Sequence, residues 1–304
     1  MPLGLPCPAM RVVHLGDLHH YRLWANPLAC FNKRLLGLGN LWLNRRRRFR
    51  RELWPAIARR IVSLRPDWVL CSGDLTTTSL PGEFEDVARL LAPVTESCPT
   101  LLIPGNHDRY VPGAAGMMER SLGRWMPPAY PHLAPLNEHW SVLCLDAAFP
   151  QWHAQGRVGE AQLARATELV RGLEAGRGLV VLCHYTASTP PPEVHEPPRH
   201  GLIDAAEVRA LMREAAAAAR AVVYLHGHIH RPWCCCAEEA GLDRMLDLNA
   251  GAPCMRSTLF PEGQGFWELD LPSPPAMPRC RHHVPDALGD DGWSVAMHNP
   301  FAGA

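Results

Sequence analysis

Residues 10–20 read MRVVHLGDLHH: a six-residue apolar run, a glycine, then Asp17 and His19. A run this short and rich in Val and Leu suits a buried strand better than a helix. Residues two apart in an extended segment point the same way, so Asp17 and His19 are expected to face one direction. The same arrangement recurs along the chain. The apolar run 68–71 leads into Gly73-Asp74, and 100–103 leads into Gly105-Asn106-His107-Asp108. The run 179–183 leads into His184, and 221–225 into Gly227-His228-Ile229-His230. A further strand is expected at 140–145.

Between these runs lie helical patterns. Residues 50–64 repeat Leu53, Ile57, Ile61 and Leu64 at helical spacing, and 83–91, 160–173 and 204–219 behave likewise. Asp204 reads as an N-cap with Glu207 as its capping-box partner. Strands alternating with helices indicate an α/β fold. Later strands are expected at 244–248 and 265–271, the latter as an antiparallel edge. Thirty prolines in 304 residues mark loops and a Pro-rich segment after Pro272. The expected organisation is one main domain over 1–271 and a loosely packed tail over 272–304.

Composition narrows the function classes. The formal net charge is zero, so no whole-molecule field selects a partner; an arginine cluster at 45–51 favours nucleic acid, but the expected lack of an added nucleic-acid module disfavours it. No run approaches the ~18 apolar residues of a membrane span. Residues 1–10 make a poor signal peptide. Eleven cysteines with no CxxC pair read as small buried hydrophobes in a reducing, cytoplasmic compartment.

The chemistry lies at the strand ends. In open α/β sheets, ligands bind beyond the carboxyl ends of the strands. Five segments would therefore deliver carboxylate, amide and imidazole groups to one edge, a donor set that suits Mn, Fe, Zn, Co or Ni better than Ca or Mg. Any one of these motifs alone is an ordinary turn. All five in order, each behind an apolar strand, indicate a metal centre. Their sequence (Asp17-x-His19, Gly73-Asp74, Gly105-Asn106-His107-Asp108, His184, Gly227-His228-x-His230) resembles the calcineurin-like metallophosphoesterase superfamily over about residues 10–255.

That resemblance implies a four-layer α/β/β/α sandwich with two divalent metal ions at its rim. One ion would be held by Asp17, His19, Asp74 and His230, the other by Asp74, Asn106, His184 and His228, with Asp74 bridging. His107 would stand near the leaving group as general acid, with Asp108 orienting or charging its imidazole. The implied activity is hydrolysis of a phosphoric ester, a diester in preference to a monoester, as in the cyclic-nucleotide phosphodiesterases. Pyrophosphate cleavage of a UDP-linked lipid is the alternative, and a scaffold that has lost its ligands is the alternative of a different class.

Three features bear on the substrate. Arg109 follows Asp108 and is a candidate phosphate contact. Thr76, Thr77 and Thr78 are expected to cap the helix that follows. Residues 26–54 form a basic and apolar insertion behind His19, with Leu35, Leu36, Leu38, Leu41, Trp42 and Leu43 followed by six arginines within 45–51. The stretch from Leu35 to Arg51 suits attachment to an anionic membrane surface, which makes peripheral membrane association an expectation beside the phosphoester substrate.

Overall fold

The computed structural model describes residues 9–23, 32–40, 48–150, 152–188, 200–236, 241–242, 245–255, 264–286 and 292–300. In chain order its strands are β1 (Met10–Leu15), β2 (Trp68–Cys71), β3 (Thr100–Leu102), β4 (His132–Pro135), β5 (Trp140–Cys144), β6 (Gly178–Leu182), β7 (Val222–His226), β8 (Trp233–Cys236), β9 (Met245–Asn249), β10 (Phe266–Leu271), β11 (Arg279–Pro285) and β12 (Trp293–His298). Its helices are α1 (Arg34–Asn40), α2 (Trp54–Leu64), α3 (Pro81–Thr95), α4 (Ala114–Leu122), α5 (Glu160–Arg171) and α6 (Ala205–Ala218).

The strands form two six-stranded mixed sheets, ordered β12-β11-β10-β1-β2-β3 and β4-β5-β6-β7-β9-β8. The two-residue period of each strand decides the layering. In β1, Val13 and Leu15 point outward to Ile57 and Ile61 of α2 and Phe84 and Val87 of α3. Val12 points inward to meet Trp140, Val180 and Leu248 of the second sheet. In β7, Val223 and Leu225 join that inner layer, while Val222 and Tyr224 pack under Val208 and Leu211 of α6. Strands buried on both faces need apolar residues throughout, hence the continuous runs in the sequence. The result is the expected α/β/β/α sandwich.

Several local expectations are corrected. Asp204 does precede α6, but without a side-chain cap bond. Its carboxylate accepts from the backbone of Val158 (3.2 Å) and Gly159 (2.7 Å), tying the α5 approach to α6. The threonines do not cap α3 either: its N-cap is Leu80. Strand β10 is not an edge, because it pairs with β1 on one side and β11 on the other.

The loosely packed tail is also corrected, since β11 and β12 extend the first sheet beyond β10. Cys280, His282 and His283 are buried. The Glu268 carboxylate on β10 takes His283 Nε2 at 2.7 Å, Arg281 at 3.0 Å and Arg11 of β1 at 3.0 Å. Pro-rich composition concealed these strands, although the prolines occupy mainly the turn before Arg279. Deleting residues 272–304 is expected to leave β10 as a bare edge, to strand Glu268 without His283 and Arg281, and to abolish cooperative thermal unfolding followed by circular dichroism.

Candidate metal centre

Asp17 follows β1, Asp74 follows β2, Asn106 follows β3, His184 follows β6, and His228 and His230 follow β7. The first three come from one sheet and the last three from the other, so the centre lies across the rim where the sheets face each other. Ligand-capable atoms of Asp17, His19, Asp74 and His230 lie within 4.8 Å of one another, as do those of Asp74, His184 and His228. His19 Nε2 stands 2.7 Å from His230 Nε2, and His230 Nε2 stands 3.2 Å from Asp17 Oδ1. Asn106 Oδ1 lies 3.1 Å from His184 Nε2, which adds the amide to the second cluster.

Asp74 belongs to both clusters. Its Oδ1 accepts the backbone N–H of His107 at 2.7 Å. Its Oδ2 lies 3.5 Å from His19 Nε2 and 3.4 Å from His184 Nε2. One oxygen therefore faces both groups of imidazoles.

The convergence of Asp17 with His19 does not come from extended alternation. Asp17, His19, Asp74, His228 and His230 all have left-handed backbones, with φ of 53°, 46°, 54°, 71° and 60°. Non-glycine residues in this region are strained, and such strain collects at functional sites. Each loop curls around its ligand, held by Asp17 N–H to Gly73 O (2.8 Å) and His19 N–H to Asp74 O (2.9 Å). Two glycines are required by close approach. A Cβ on Gly105 would fall 2.1 Å from Asp74 Oδ1, and one on Gly227 would fall 2.1 Å from Asp17 Oδ2.

The residues present fit a pair of cations. Asp17 and Asp74 are fully buried carboxylates. Burial opposes their ionisation, but the imidazoles around them hold both below the usual carboxylate range. Burial likewise opposes charge on His184, yet Asp74 and Asp17 push it up to about 9. The centre thus demands positive charge. His184 Nδ1–H donates to Ser72 O at 2.8 Å, which leaves the Nε2 lone pair toward Asn106 and Asp74. Asp74 Oδ2 and His228 Nε2 are buried with no hydrogen-bond partner, an arrangement costing ~1–3 kcal/mol per group unless something is bound there.

His107 stands beside the ligands. Its ring meets that of His19 at 4.8 Å and stacks on Tyr110 at 5.3 Å and 13°. Its Nδ1 bonds the Thr77 carbonyl at 2.6 Å, which directs Nε2 away from that backbone. The orienting group is therefore Thr77 with Tyr110, a correction to the role expected of Asp108. Asp108 instead accepts from the backbone of Gly105, Leu75 and Thr76 and from the Thr76 hydroxyl, at 2.9–3.1 Å, so it staples the Asp74 loop to the Asn106 loop. Burial and the nearby Asp74 charge push its carboxyl up to about 6. Arg109 pairs with Asp146 at 3.2 Å and is mostly buried.

Some supporting residues were missed from the sequence. His226 Nε2 donates to Asp247 Oδ1 (2.6 Å), while Asn249 Nδ2 donates to His226 Nδ1 (3.0 Å) and to Gly227 O (2.6 Å). Asp247 and Asn249 thereby shape the turn that presents His228 and His230. Their signal was alternation within the apolar run of β9. Of the insertion, residues 26–31 and 41–47, including Trp42 and Arg45 to Arg47, lie outside the described residues. Leu35, Arg48 and Arg51 are exposed.

The sequence profile of the calcineurin-like phosphoesterases matches residues 10–232. The chain belongs to that family. A search of curated proteins finds no match to this chain. Among solved structures it is similar to the purple acid phosphatase PPD1 from yellow lupin (Lupinus luteus) seeds. That likeness has 16% identity and a TM-score of 0.59, covering 95% of this chain and 53% of the lupin chain. It is also similar to a 5'-nucleotidase from Candida albicans, at 12% identity and a TM-score of 0.50, covering 98% of this chain and 53% of the nucleotidase. This chain thus spans about half the length of each, and at these identities the likeness shows the fold. Among the described residues no helix is long and apolar enough to cross a membrane.

Behind the centre, Glu83 is fully buried and accepts from Thr78 N (2.9 Å), Leu80 N (3.1 Å) and the Thr78 hydroxyl. Burial outweighs these bonds and pushes its carboxyl up from 4.5 to about 7. As pH rises between these values, the unfolded chain releases this proton while the folded chain keeps it, so stability falls, then levels off above about 7. The loss is on the order of 3 kcal/mol at most. Glu83→Gln is expected to flatten that fall in urea midpoints measured from about pH 4 to pH 8.

Proposed function

We propose that this chain is a dinuclear-metal-dependent phosphoric ester hydrolase, acting on a phosphodiester in preference to a monoester. The observation that carries this reading is the shared Asp74 Oδ2 between two imidazole clusters, with neither cluster lacking a donor. A scaffold of the same fold has no need to keep this many strained and buried ionisable side chains together.

In this reading Asp17, His19, Asp74 and His230 hold one divalent ion, and Asp74, Asn106, His184 and His228 hold the other. When bound, such ions supply Lewis acidity toward the phosphoryl oxygens and lower the pKa of water. The remaining work falls to the chain. Ser72 O keeps His184 in the tautomer that offers Nε2. Thr77 O keeps the other proton of His107 on Nδ1, so Nε2 can carry a proton to the departing ester oxygen. Tyr110 holds the His107 ring by stacking. Asp108 keeps the Asp74 and Asn106 loops in register and is a positioning residue rather than the partner of His107.

A second reading, hydrolysis of a lipid-linked pyrophosphate at an anionic membrane surface, is favoured by Leu35, which is 62% exposed in the insertion that also exposes Arg48 and Arg51. Sedimentation with anionic vesicles at low salt separates the two, because the soluble-substrate reading expects the protein to remain in the supernatant.

The decisive assay is hydrolysis of bis(p-nitrophenyl) phosphate by the purified chain with manganese and with chelator; equal rates in both would sink the metal-dependent reading. Asp74→Asn is expected to lower kcat/KM by more than about 100-fold, beyond what loss of a supporting partner alone costs. Metal analysis should find it short of two ions per chain. His107→Ala is expected to retain the wild-type metal content yet lose roughly 100- to 10,000-fold on alkyl diesters and much less on aryl ones. Equal losses on both would refute the acid role.

A further inference from the structure

Away from the metal centre, the outer strands of the two sheets are β12 and β3 in the first and β4 and β8 in the second. An outer strand carries backbone N–H and C=O groups that no neighbouring strand pairs, and proteins protect such edges by short length, proline, charge or cover. Strand β3 is three residues long and packs against the turn Gly123–Trp125. Strand β4 follows Pro131 and ends in Pro135. Strand β8 is four residues long, and Cys236 at its end donates to Pro300 O at 3.2 Å. Strand β12 has none of these devices. It is six residues long, Trp-Ser-Val-Ala-Met-His, with no proline, lysine, arginine or carboxylate. It pairs with β11 in unbroken register from Trp293 to His298, so no bulge twists its edge away. Residues 294–297 are all exposed, Val295 to 45% and Met297 to 67%. The two-residue period sorts these side chains. Trp293 lies 5.9 Å from Phe266 and 5.8 Å from the guanidinium of Arg60 on α2, so it stands on the outer face with Val295 and Met297. His298 lies 5.0 Å from Trp267 and stands on the inner face with Ser294 and Ala296.

We propose that β12 pairs antiparallel with β12 of a second copy of this chain, joining the two first sheets across a two-fold axis at Val295. The sequence of β12 is complementary to itself in that register. Directly opposed residues of a pair point to the same face, so outer-face residues must oppose outer-face residues. With Val295 opposite the partner's Val295, Met297 falls opposite the partner's Trp293, and Ser294 falls opposite the partner's Ala296. Each outer-face contact is then apolar, and the Met–Trp pair occurs twice, a thioether against an indole edge. The strand brings no charge against its copy, and the chain's formal net charge of zero adds no long-range repulsion. Backbone groups that face water in the monomer gain partners on both sides. The contact is isologous and uses up the edge of both copies, so it closes at two. A six-residue pairing is small, which places the dimer at a Kd on the order of micromolar.

The test is sedimentation velocity of the full chain across the micromolar range. The wild-type chain is expected to pass from monomer to dimer as its concentration rises. Val295→Lys is expected to stay monomeric, because two ammonium groups would stand directly opposite each other in the pair. Its melting midpoint should equal that of the wild type at a concentration where both are monomeric, since the side chain there lies in solvent. Val295→Cys, oxidised with copper phenanthroline, is expected to give a covalent dimer above the wild-type background. Opposed residues of an antiparallel pair stand ~4.5–5.5 Å apart between Cα atoms, within disulfide reach. Ala296→Cys is expected to stay at the background, because its own copy stands two residues out of step. A wild-type chain that stays monomeric throughout, a dimer that survives Val295→Lys, or crosslinking of Ala296→Cys in place of Val295→Cys would overturn the proposal.

Discussion

Two carboxylates with no access to water, Asp17 and Asp74, set the terms for the rest of this structure. Burying a charge is expensive unless it is paired and hydrogen-bonded. Both are ringed by imidazoles and by backbone N–H groups, from His107 to Asp74 and from His228 to Asp17. Those partners come from both sheets, so the charge balance at the rim also holds the two halves of the sandwich in register there. The glycines at 105 and 227 and the left-handed backbones at the ligands follow from the same demand. The chain must bring several donors within one ion's reach of a carboxylate, and ordinary strand geometry does not allow it.

Around the ligands stands a layer of groups that fix orientation rather than bind. Asp108 joins two loops of the first sheet, and Thr77 joins them to the first motif by donating its hydroxyl to His19 O at 2.9 Å. On the other sheet Asp247 and Asn249 control His226 and the turn after it. Each supporting contact is local, yet together they fix the tautomers of His184, His107 and His226. A dinuclear site needs this more than a mononuclear one, because an error at the shared carboxylate is felt at both positions.

Metal chemistry and substrate choice occupy different parts of the molecule. The strand-end loops make the candidate metal centre. Selection falls to what surrounds it, and the insertion is the part that reaches in, with Phe49 against His19. Arg109 near the centre pairs with Asp146. The insertion follows the first motif directly, so its helix is tethered beside the ligands by chain connectivity as well as by Arg34, which donates to Thr78 O (2.9 Å) and Ser79 O (2.7 Å).

The sequence by itself determined the order of strands and helices and the identity of the clustered donors. Both depend on local signals: apolar runs between helical periods, and polar residues at strand ends. It did not determine how the donors converge. Asp17 and His19 looked aligned by strand alternation, whereas left-handed turns bring them together. The family resemblance gave Asp108 as the partner of His107, whereas a carbonyl three residues beyond Asp74 has that place. The Pro-rich segment after Pro272 looked loose, whereas β11 and β12 complete the first sheet. Asp247 and Asn249 carried no motif and became functional candidates only through their neighbours. Each of these was decided by contacts between residues distant in the chain, where desolvation and hydrogen-bond satisfaction outweigh local preference, and such contacts exist only once the two sheets have packed.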